Sequence, residues 1–330
     1  MKYVDVQIVN NDQIAPSIFS MTVHAPKICA ITRPGQFAMV YLPNGELLLP
    51  RPISICDAGD GQLRFVYQVV GAGTKVMSKM KPGIMVQILA PLGKGFFTTP
   101  SHCETKNDGQ YSPVIAGDGQ DSPVIAGLTR NLQAKADRPC PACDDSDTPD
   151  LAIHSMKIAG QARNDEGYHS GAIGGVARST LSKVALVGGG IGTPPLLLLA
   201  KALKSQGSQV DAYLGFRDTP ILTGDFEKTV DNLHIATDNG SAGHHGNVLE
   251  ILQQQQANYD EILACGPRPM LNALADFAQS RNIPCQISTE ERMACGLGTC
   301  VGCVLEVSGT YVRICTEGPV FYSDEVDNHD

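Results

Sequence analysis

The chain has 330 residues, 42% hydrophobic and 18% charged, which is enough for two or three domains that each bury a core. Its 25 Lys and Arg against 34 Asp and Glu give a net charge of −9, which argues against a nucleic-acid-binding surface. The N-terminus lacks a signal-peptide core, no apolar run approaches the ~20 residues of a membrane helix, and eleven cysteines suit a reducing compartment, so we expect a cytoplasmic protein without membrane contact.

The first hundred residues are predicted to form short strands separated by turns. Strands are expected at 4–9, 18–24, 36–42, 63–70 and 85–89, with another beginning at 51 and one helical turn at 74–80. Many short strands at regular spacing are typical of an antiparallel barrel. We therefore expect a β-barrel domain over 1–100.

Two segments of this barrel combine glycine with polar and cationic side chains. Arg51-Pro52-Ile53-Ser54 opens a strand, where an arginine can bind a pyrophosphate through two hydrogen bonds and a serine can bond a flavin edge. Residues 67–74 lead from a strand into a Gly-rich helix start, whose N–H groups can hold phosphate. Together they predict an FAD cradle at the barrel mouth, although 51–54 alone would equally suit an edge-strand turn.

Residues 101–180 differ from the rest of the chain. They are rich in Asp, Ser, Gly and Pro, and the run at 112–117 recurs at 122–127. We interpret them as a duplicated, mostly mobile insertion without a packed core. The alternative is a small metal site with ligands drawn from Cys103, Cys140, Cys143, His154 and His169.

From residue 181 strands and helices alternate. A buried strand at 184–187 is followed by a glycine loop and by a helix at 194–206, and further elements are expected at 210–216, 233–236, 247–256, 261–264, 269–280 and 285–287. This alternation predicts a doubly wound parallel sheet over 181–288.

The glycine loop carries Gly188, Gly189, Gly190 and Gly192 between a strand and a helix, the context that a dinucleotide loop requires. Pro195 stands where the third glycine of G-x-G-x-x-G would be, so a purely structural tight turn is the alternative.

Cys265 follows the strand at 261–264, and carboxyl ends of strands are where open α/β sheets bind ligands. A buried small hydrophobe is the alternative for this cysteine. For the adenosine half of a dinucleotide, Arg217 and Asp218 are better placed than Asp211, which lies inside a predicted strand. The choice between NADH and NADPH stays open.

The last segment, 289–330, contains four cysteines in the spacing C-x4-C-x2-C followed by a distant fourth. This is the plant-type ligand spacing for a [2Fe–2S] cluster, and the intervening glycines let the backbone approach bridging sulfides. Zinc-binding loops usually contain two separate short Cys-x2-4-Cys segments, and a Gly-rich gap of four residues is unusual there, so zinc is the weaker alternative. A hairpin with strands at 304–307 and 311–314, turning at 308–310, is expected to follow. The predicted ligands are Cys295, Cys300, Cys303 and Cys315.

No spacing predicts an acid–base or nucleophilic catalytic group, and we assign no catalytic residue. The segments at 51–55, 71–75, 91–96, 188–195, 264–267 and 290–303 occur in order and together resemble the electron-transfer subunit family of type 1B dihydroorotate dehydrogenase, in the ferredoxin–NADP reductase-like superfamily. The resemblance covers about 1–100 and 180–330. It implies an FAD-binding antiparallel barrel, a doubly wound NAD-binding domain and a small cluster domain, that is, a multidomain α+β and α/β protein.

The resemblance also implies roles for residues. The glycine loop would hold NAD, Cys265 would lie near the nicotinamide, and the four cysteines would bind the cluster. Lys94 stands where the family often has Asn, and 237–241 lacks a second Asp that is more familiar there. The residues implied for FAD are Arg51, Pro52, Ile53, Ser54, Val66, Tyr67, Gln68, Gly73 and Thr74.

The implied function is electron transfer in pyrimidine (UMP) biosynthesis. A catalytic partner subunit carrying FMN would oxidise dihydroorotate, and electrons would pass through the [2Fe–2S] cluster and FAD to NAD+ in a heterotetramer of two copies of each subunit. One alternative is another flavin/iron–sulfur NAD(P)H reductase, such as a ferredoxin reductase, a sulfide dehydrogenase or a hydrogenase diaphorase subunit. Another is a redox-inert zinc protein that regulates a partner.

Overall fold

A computed structural model describes residues 2–43, 47–98, 103–105, 111–113, 181–255 and 257–326. The chain divides into two compact units, one formed by Met1–Pro100 with Arg178–Asp330 and the other by Ser101–Ala177. Within the described part of the chain, no helix is both long and apolar enough to cross a membrane.

The N-terminal part of the first unit is a closed antiparallel barrel. Short helices α1 (Pro26–Cys29) and α2 (Ala72–Met77) interrupt the strands. The strand order around the barrel is β1-β2-β5-β4-β3-β6, with strands β1 (Lys2–Ala15), β2 (Ile18–His24), β3 (Phe37–Tyr41), β4 (Arg51–Gly59), β5 (Gln62–Gln68) and β6 (Met85–Leu92).

Alternate side chains of β5 face the barrel interior, and one residue on its outer face is buried as well. Leu63, Phe65 and Tyr67 are buried in the barrel interior, as expected for alternate residues of a strand. Val66, between them, is buried in a different cluster that belongs to the neighbouring sheet domain. The sheet domain therefore covers the outer face of β5 at Val66.

The described residues of the second unit are two strands, β7 (Cys103–Thr105) and β8 (Tyr111–Pro113), which pair antiparallel. The remainder of the predicted insertion, including most of the candidate metal ligands, lies outside the described residues. Its predicted mobility and metal site stay predictions.

The rest of the first unit is built on a mainly parallel sheet. Its strands are β9 (Lys183–Gly189), β10 (Gln209–Phe216), β11 (Asn232–Thr237), β12 (His244–His245), β13 (Glu261–Cys265) and β14 (Cys285–Ser288). Between them run α3 (Pro194–Ser205), α4 (Thr223–Glu227), α5 (Val248–Gln254) and α6 (Arg268–Arg281).

The C-terminal segment returns to this sheet. It contains β15 (Val304–Val307), β16 (Thr310–Arg313), α7 (Ile314–Glu317) and β17 (Val320–Tyr322). The strand β17 lies antiparallel beside β14, so the sheet order is β12-β11-β10-β9-β13-β14-β17. We did not predict this strand.

The turn of the β15–β16 hairpin is one residue shorter than predicted. Thr310 pairs with Val307, which leaves only Ser308 and Gly309 in the turn, with φ of 50° and 71°. Two consecutive positive φ values are the signature of a type I′ turn, which matches the twist of a hairpin.

The barrel and the sheet domain are joined by a helix packed on a strand. Helix α3 packs along β4, and Lys201 Nζ lies 2.5 Å from Asp57 Oδ2. A second ion pair joins the two parts, with Arg64 Nη1 2.9 Å from Asp225 Oδ2. Because α3 starts at the glycine loop and β4 starts at Arg51, this packing sets the distance between the two predicted cofactor segments.

The last described barrel residues are anchored to the sheet by one amide. Gln286 Nε2 donates to Phe97 O at 2.9 Å, and Phe97 N donates to Gln286 Oε1 at 2.9 Å. Gln286 Nε2 also donates to the buried Glu261 Oε1 at 2.7 Å. Burial raises the pKa of Glu261 to about 7, although hydrogen bonds from Gln286 and Tyr322 oppose this.

Because the pKa of Glu261 is raised, the free energy of unfolding should depend on pH, and Glu261→Gln should remove this dependence. The folded carboxyl keeps its proton up to about pH 7, whereas the ordinary pKa is 4.5, so its contribution to stability is complete below 4.5 and is lost as the pH rises through 7. In urea unfolding from pH 5 to 8, the uncharged variant should gain on the wild type by up to ~1.4 kcal/mol per pH unit within that window. The exposed Glu227→Gln serves as control, and a difference independent of pH would contradict the expectation.

Candidate functional site

A cavity of about 510 Å³ opens where β4 begins and β5 ends, a volume typical of cofactor pockets. Its barrel wall contains every residue that the sequence suggested for FAD. These are Arg51, Pro52, Ile53, Ser54, Val66, Tyr67, Gln68, Gly73 and Thr74. The structure brings the nine together, and their role in binding stays a prediction.

Arg51 and Gly73 are positioned by each other. A Cβ built on Gly73 would lie 1.7 Å from Arg51 Nε, so the guanidinium occupies the space that only glycine leaves open. Arg51 Nη1 donates to Leu49 O. Arg51 is also one of the residues that line the cavity, which fits a donor for a pyrophosphate.

Two of the nine residues, Thr74 and Tyr67, form hydrogen bonds within the protein that fix the shape of the cavity wall. The Thr74 hydroxyl accepts from Val70 N at 3.0 Å and from Gly71 N at 3.2 Å, which closes the loop before α2. The Tyr67 hydroxyl donates to Asn11 Oδ1 at 3.0 Å, and burial raises its pKa to about 12. These two hydroxyls shape the cavity and are already engaged within the protein.

The opposite wall was not predicted. It is contributed by the glycine loop and by the residues that precede the cysteine run, with Phe37 and Pro319 beside them. Desolvation by the surrounding protein raises the pKa of Glu290, although its side chain is open to the cavity. The sequence feature that could have indicated this wall is the acidic pair Glu290-Glu291, which precedes the first cysteine of the run. The residues of this wall are Ile191, Ser288, Thr289, Glu290, Glu291 and Met293.

The glycine loop ends β9, forms a 3-10 turn at Gly190–Gly192 and opens α3. A Cβ on Gly192 would lie 2.5 Å from Cys265 O, and one on Gly188 would lie 2.9 Å from Thr193 Oγ1. Gly190 instead has φ +54° and open space where a Cβ would be. Close packing therefore explains Gly188 and Gly192, while Gly190 leaves room for a ligand.

Packing at Gly192 predicts a strong effect of Gly192→Ala. The new Cβ would meet the backbone of Cys265 and Gly266, which cannot move away as a side chain can. We expect a loss of about 1–3 kcal/mol in the free energy of unfolding, measured in urea, together with weaker NAD+ binding. Gly224→Ala, at a position in α4 with nothing within 4 Å, is the matched control and should neither destabilise the fold nor weaken NAD+ binding; equal effects of the two substitutions would contradict the packing argument.

The loop also holds an orphaned hydroxyl. Thr193 is fully buried, and its Oγ1 is a buried side-chain atom that lacks a hydrogen-bond partner within the described residues. An unsatisfied buried hydroxyl at the start of α3 fits a loop whose bonding is completed by a ligand.

Cys265 lies at the carboxyl end of β13, in register with Gly188 on β9 and Ser288 on β14. It is buried and is not part of the cavity wall, whereas Ser288 is. Burial and the Glu290 charge raise the pKa of Cys265 to about 12, so it is a neutral thiol near pH 7.

The structure distinguishes between the residues considered for binding the adenosine half of the dinucleotide. Asp211 is buried, accepting from Tyr259 at 2.9 Å and from Asn232 at 2.7 Å, so it is unavailable to a ribose. Arg217 and Asp218 follow the carboxyl end of β10, on the ligand-binding edge of the sheet.

The two departures from the family pattern have structural roles. Lys94 N donates to Gly318 O at 2.6 Å, so its backbone joins the barrel to the C-terminal segment. In the 237–241 loop, Ser241 Oγ donates to Asp218 O and ties this loop to the end of β10.

The four cysteines of the C-terminal run form two pairs. Cys295 Sγ and Cys300 Sγ are 3.2 Å apart, and Cys303 and Cys315 are buried together in one apolar cluster. Among the described residues, no three His, Cys, Asp or Glu side chains converge as a single metal ion would require. Two pairs are the arrangement that a binuclear cluster with two thiolates on each iron would use.

The loop around Cys295 favours a thiolate. Although burial raises it, hydrogen bonds from the Thr299 side chain and the Leu297 and Cys300 backbones lower the pKa of Cys295 to about 5. Thiolates are the form that binds iron, and N–H donors to sulfur stabilise them.

The cysteine loop packs directly on the barrel. Cys303 and Cys315 are buried with Phe37 and Met39 of β3 in one apolar cluster. A Cβ on Gly296 would lie 2.6 Å from Met39 Cγ. Phe37 is in register with Ser54 and lines the flavin cavity, so the cluster site and the cavity share a wall.

The iron–sulfur cluster binding domain of dihydroorotate dehydrogenase B matches residues 290–327 of this chain. The dihydroorotate dehydrogenase B (NAD(+)) electron transfer subunit of Clostridium perfringens (strain 13 / Type A) is 31% identical over 330 residues, covering 99% of each chain. That of Enterococcus faecalis (strain ATCC 700802 / V583) is 32% identical, covering 97% of this chain and 96% of its own. This chain belongs to the dihydroorotate dehydrogenase B electron transfer subunit family.

Solved structures support the fold. A structure of an NADH-dependent reduced ferredoxin–NADP oxidoreductase matches with a TM-score of 0.68 and 24% identity, covering 98% of this chain and 89% of that chain. A ferredoxin NADP+ reductase from Neisseria gonorrhoeae, solved with bound FAD and NADP, matches with a TM-score of 0.50 and 11% identity, covering 85% and 92%. The predicted fold class, with its FAD-type barrel, doubly wound sheet and cluster domain, is confirmed.

Membership in the dihydroorotate dehydrogenase B electron transfer subunit family also confirms the functional class. The chain is one component of an NAD-linked oxidoreductase, and its C-terminal domain is an iron–sulfur domain. The alternative of a redox-inert zinc protein has no support from these matches or from the paired cysteines.

Proposed function

We propose that this chain carries electrons from the FMN of a dihydroorotate-oxidising catalytic subunit, through a [2Fe–2S] cluster and FAD, to NAD+ in the synthesis of UMP. Overall, dihydroorotate loses two electrons and two protons, NAD+ gains two electrons and one proton, and one proton is released. One observation carries the proposal: a single cavity is walled by Arg51 and Ser54 of the barrel, Ile191 of the glycine loop and Met293 beside the cysteine run.

The barrel residues would hold FAD. Arg51 would neutralise its pyrophosphate through charge-assisted hydrogen bonds, and Ser54 would bond the edge of the flavin ring. Backbone and apolar contacts come from the other residues of β4, β5 and the loop before α2. FAD, when bound, exchanges single electrons with the cluster and an electron pair with nicotinamide.

The glycine loop would bind the dinucleotide, with Gly190 giving the diphosphate access and Cys265 below the nicotinamide as a small neutral thiol. The packing of α3 on β4 would then fix the nicotinamide-binding loop relative to the flavin-binding strand. In this scheme no side chain transfers a proton, which agrees with the lack of a predicted catalytic residue.

The domain boundaries that we propose are 1–100 for FAD, 101–180 for the insertion, 181–288 for NAD and 289–330 for the cluster. The four ligands are Cys295, Cys300, Cys303 and Cys315. We propose a heterotetramer of two copies of each subunit in the cytoplasm, where cysteines outside the cluster site, such as Cys29 and Cys56, would remain reduced.

Reconstitution tests the function. The FAD- and cluster-loaded chain is mixed with the FMN-containing catalytic subunit encoded by the same organism, and dihydroorotate and NAD+ are added without oxygen. We expect dihydroorotate-dependent NADH formation that needs both subunits, and a mass corresponding to two of each. Reduction of ferredoxin or sulfur compounds by NADH, with no response to dihydroorotate, would instead identify another flavin/iron–sulfur reductase.

A further inference from the structure

The helix that follows the glycine loop offers few N–H groups to an anion. Its first two residues, Pro194 and Pro195, have no N–H. Thr193 N is bonded to Gly190 O at 3.2 Å, and Leu196 N is bonded to Thr193 O at 3.1 Å. Because helix N-termini bind phosphates through such amides, this one is a weak diphosphate site.

The helix on the other side of the loop is equally poor in donors. Helix α6 has Pro267 at its N-cap and Pro269 at its second position. Met270 N and Leu271 N both donate to Pro267 O, at 2.9 Å and 3.1 Å. The prolines and these internal hydrogen bonds therefore reduce the number of backbone donors that each helix start can offer to a diphosphate.

The two helix starts are in backbone contact. A Cβ on Gly192 would lie 2.5 Å from Cys265 O, and one on Gly266 would lie 3.0 Å from Gly189 N. Arg268 is two residues beyond Gly266, at the first position of α6. This arginine therefore adjoins the glycine loop across the shared edge of the sheet.

Arg268 is held at the cavity by an acidic residue. Its Nη2 donates to Glu291 Oε1, and Glu291 is part of the cavity wall. The two side chains are 56% and 27% exposed. An ion pair this exposed contributes little, so an anion that accepts two hydrogen bonds from the guanidinium can displace the carboxylate.

We propose that Arg268 binds the diphosphate of the nicotinamide dinucleotide and that Glu291 holds this arginine at the cavity until the ligand displaces it. This inference rests on the proposed function. Arg268 then supplies the positive charge and hydrogen-bond donors that the prolines remove from both helix starts. Glu291 competes with the diphosphate for the Arg268 guanidinium.

The two members of the pair should then change NAD+ affinity in opposite directions. Calorimetric titration of NAD+ into the oxidised protein, with FAD and cluster loaded, should give a Kd raised ~10–100-fold by Arg268→Ala, the usual range for lost hydrogen bonds to a charged group. Glu291→Gln should lower the Kd about 2–5-fold because it releases the arginine. In the Arg268→Ala background, Glu291→Gln should have no effect.

A ligand without phosphate, a second arginine of α6 and a conservative substitution serve as controls. Nicotinamide riboside, which has no phosphate, should bind all variants alike. Arg281→Ala, at the other end of α6, should leave the Kd for NAD+ unchanged, and Arg268→Lys should weaken binding less than Arg268→Ala. Unchanged FAD and cluster spectra verify that each variant is folded.

The outcomes are distinguishable. Unchanged NAD+ affinity in Arg268→Ala, or weaker affinity in Glu291→Gln, overturns this inference while the proposed function stands. A wild-type protein that carries FAD and cluster but does not bind NAD+ overturns both.

Discussion

Replacing Cys303 with Ala is expected to remove the iron–sulfur cluster and leave the barrel able to bind FAD. Cys303 is buried against β3 and forms one of the two thiol pairs with Cys315. Its loss leaves one iron with a single thiolate. Electron transfer from the catalytic subunit to NAD+ should fall by more than the ~10–100-fold that loss of a hydrogen-bonding partner of a metal ligand costs.

Iron and sulfide content, the visible absorption spectrum and dihydroorotate-dependent NADH formation measure this effect. NADH-driven reduction of an artificial acceptor that takes electrons from FAD should persist, which separates loss of the cluster from unfolding. Cys29→Ala, a partly exposed cysteine in α1, is the matched control. A full iron and sulfide content in Cys303→Ala would contradict the ligand assignment.

Arg51→Ala is expected to weaken FAD binding by about 10–100-fold, since hydrogen bonds to a charged group contribute roughly 1.5–3 kcal/mol. Arg51→Lys should recover only part of this loss because an ammonium cannot form the two parallel bonds of a guanidinium. Equilibrium titration of the FAD-free protein with FAD, followed by flavin fluorescence, measures the Kd.

Gly73→Ala should weaken FAD binding by a comparable factor although it removes no polar group. Its Cβ would lie 1.7 Å from Arg51 Nε and would displace the guanidinium. If this is the cause, Gly73→Ala should have no further effect in the Arg51→Ala background. Gly59→Ala, with nothing within 4 Å, is the control. Full additivity of Gly73→Ala and Arg51→Ala would show that Gly73 acts through another contact.

Most elements were predictable because their signals are local. Strand β2 has the predicted bounds, and helix α3 begins at the predicted residue, since alternation, helix-opening prolines and glycine loops act over a few neighbouring residues. The predicted bounds of an element were wrong where pairing between strands determines where the element begins or ends. The β15–β16 turn, for example, is two residues long because Thr310 pairs across the hairpin.

The candidate site was predictable on one side only. Most of the barrel wall of the cavity lies within two motifs, at 51–54 and 67–74, and all nine suggested residues, including Val66 from the family resemblance, line it. The opposite wall comes from residues such as Glu290 and Met293, which the sequence assigned only to the approach to the cysteine run. The sequence likewise did not indicate that Thr74 and Tyr67 bond to the protein itself.

The sequence by itself determined the chemistry: the spacing of four cysteines predicts a [2Fe–2S] site, and glycine loops and one arginine predict dinucleotide sites. Only the tertiary structure decided how these sites meet. Helix α3 packs on β4, β17 pairs with β14, Glu291 bonds to Arg268, and Met293 lines the flavin cavity. The physical reason is that ligand spacing and backbone turns are local properties, whereas these contacts follow from burial of apolar surface between segments far apart in the chain.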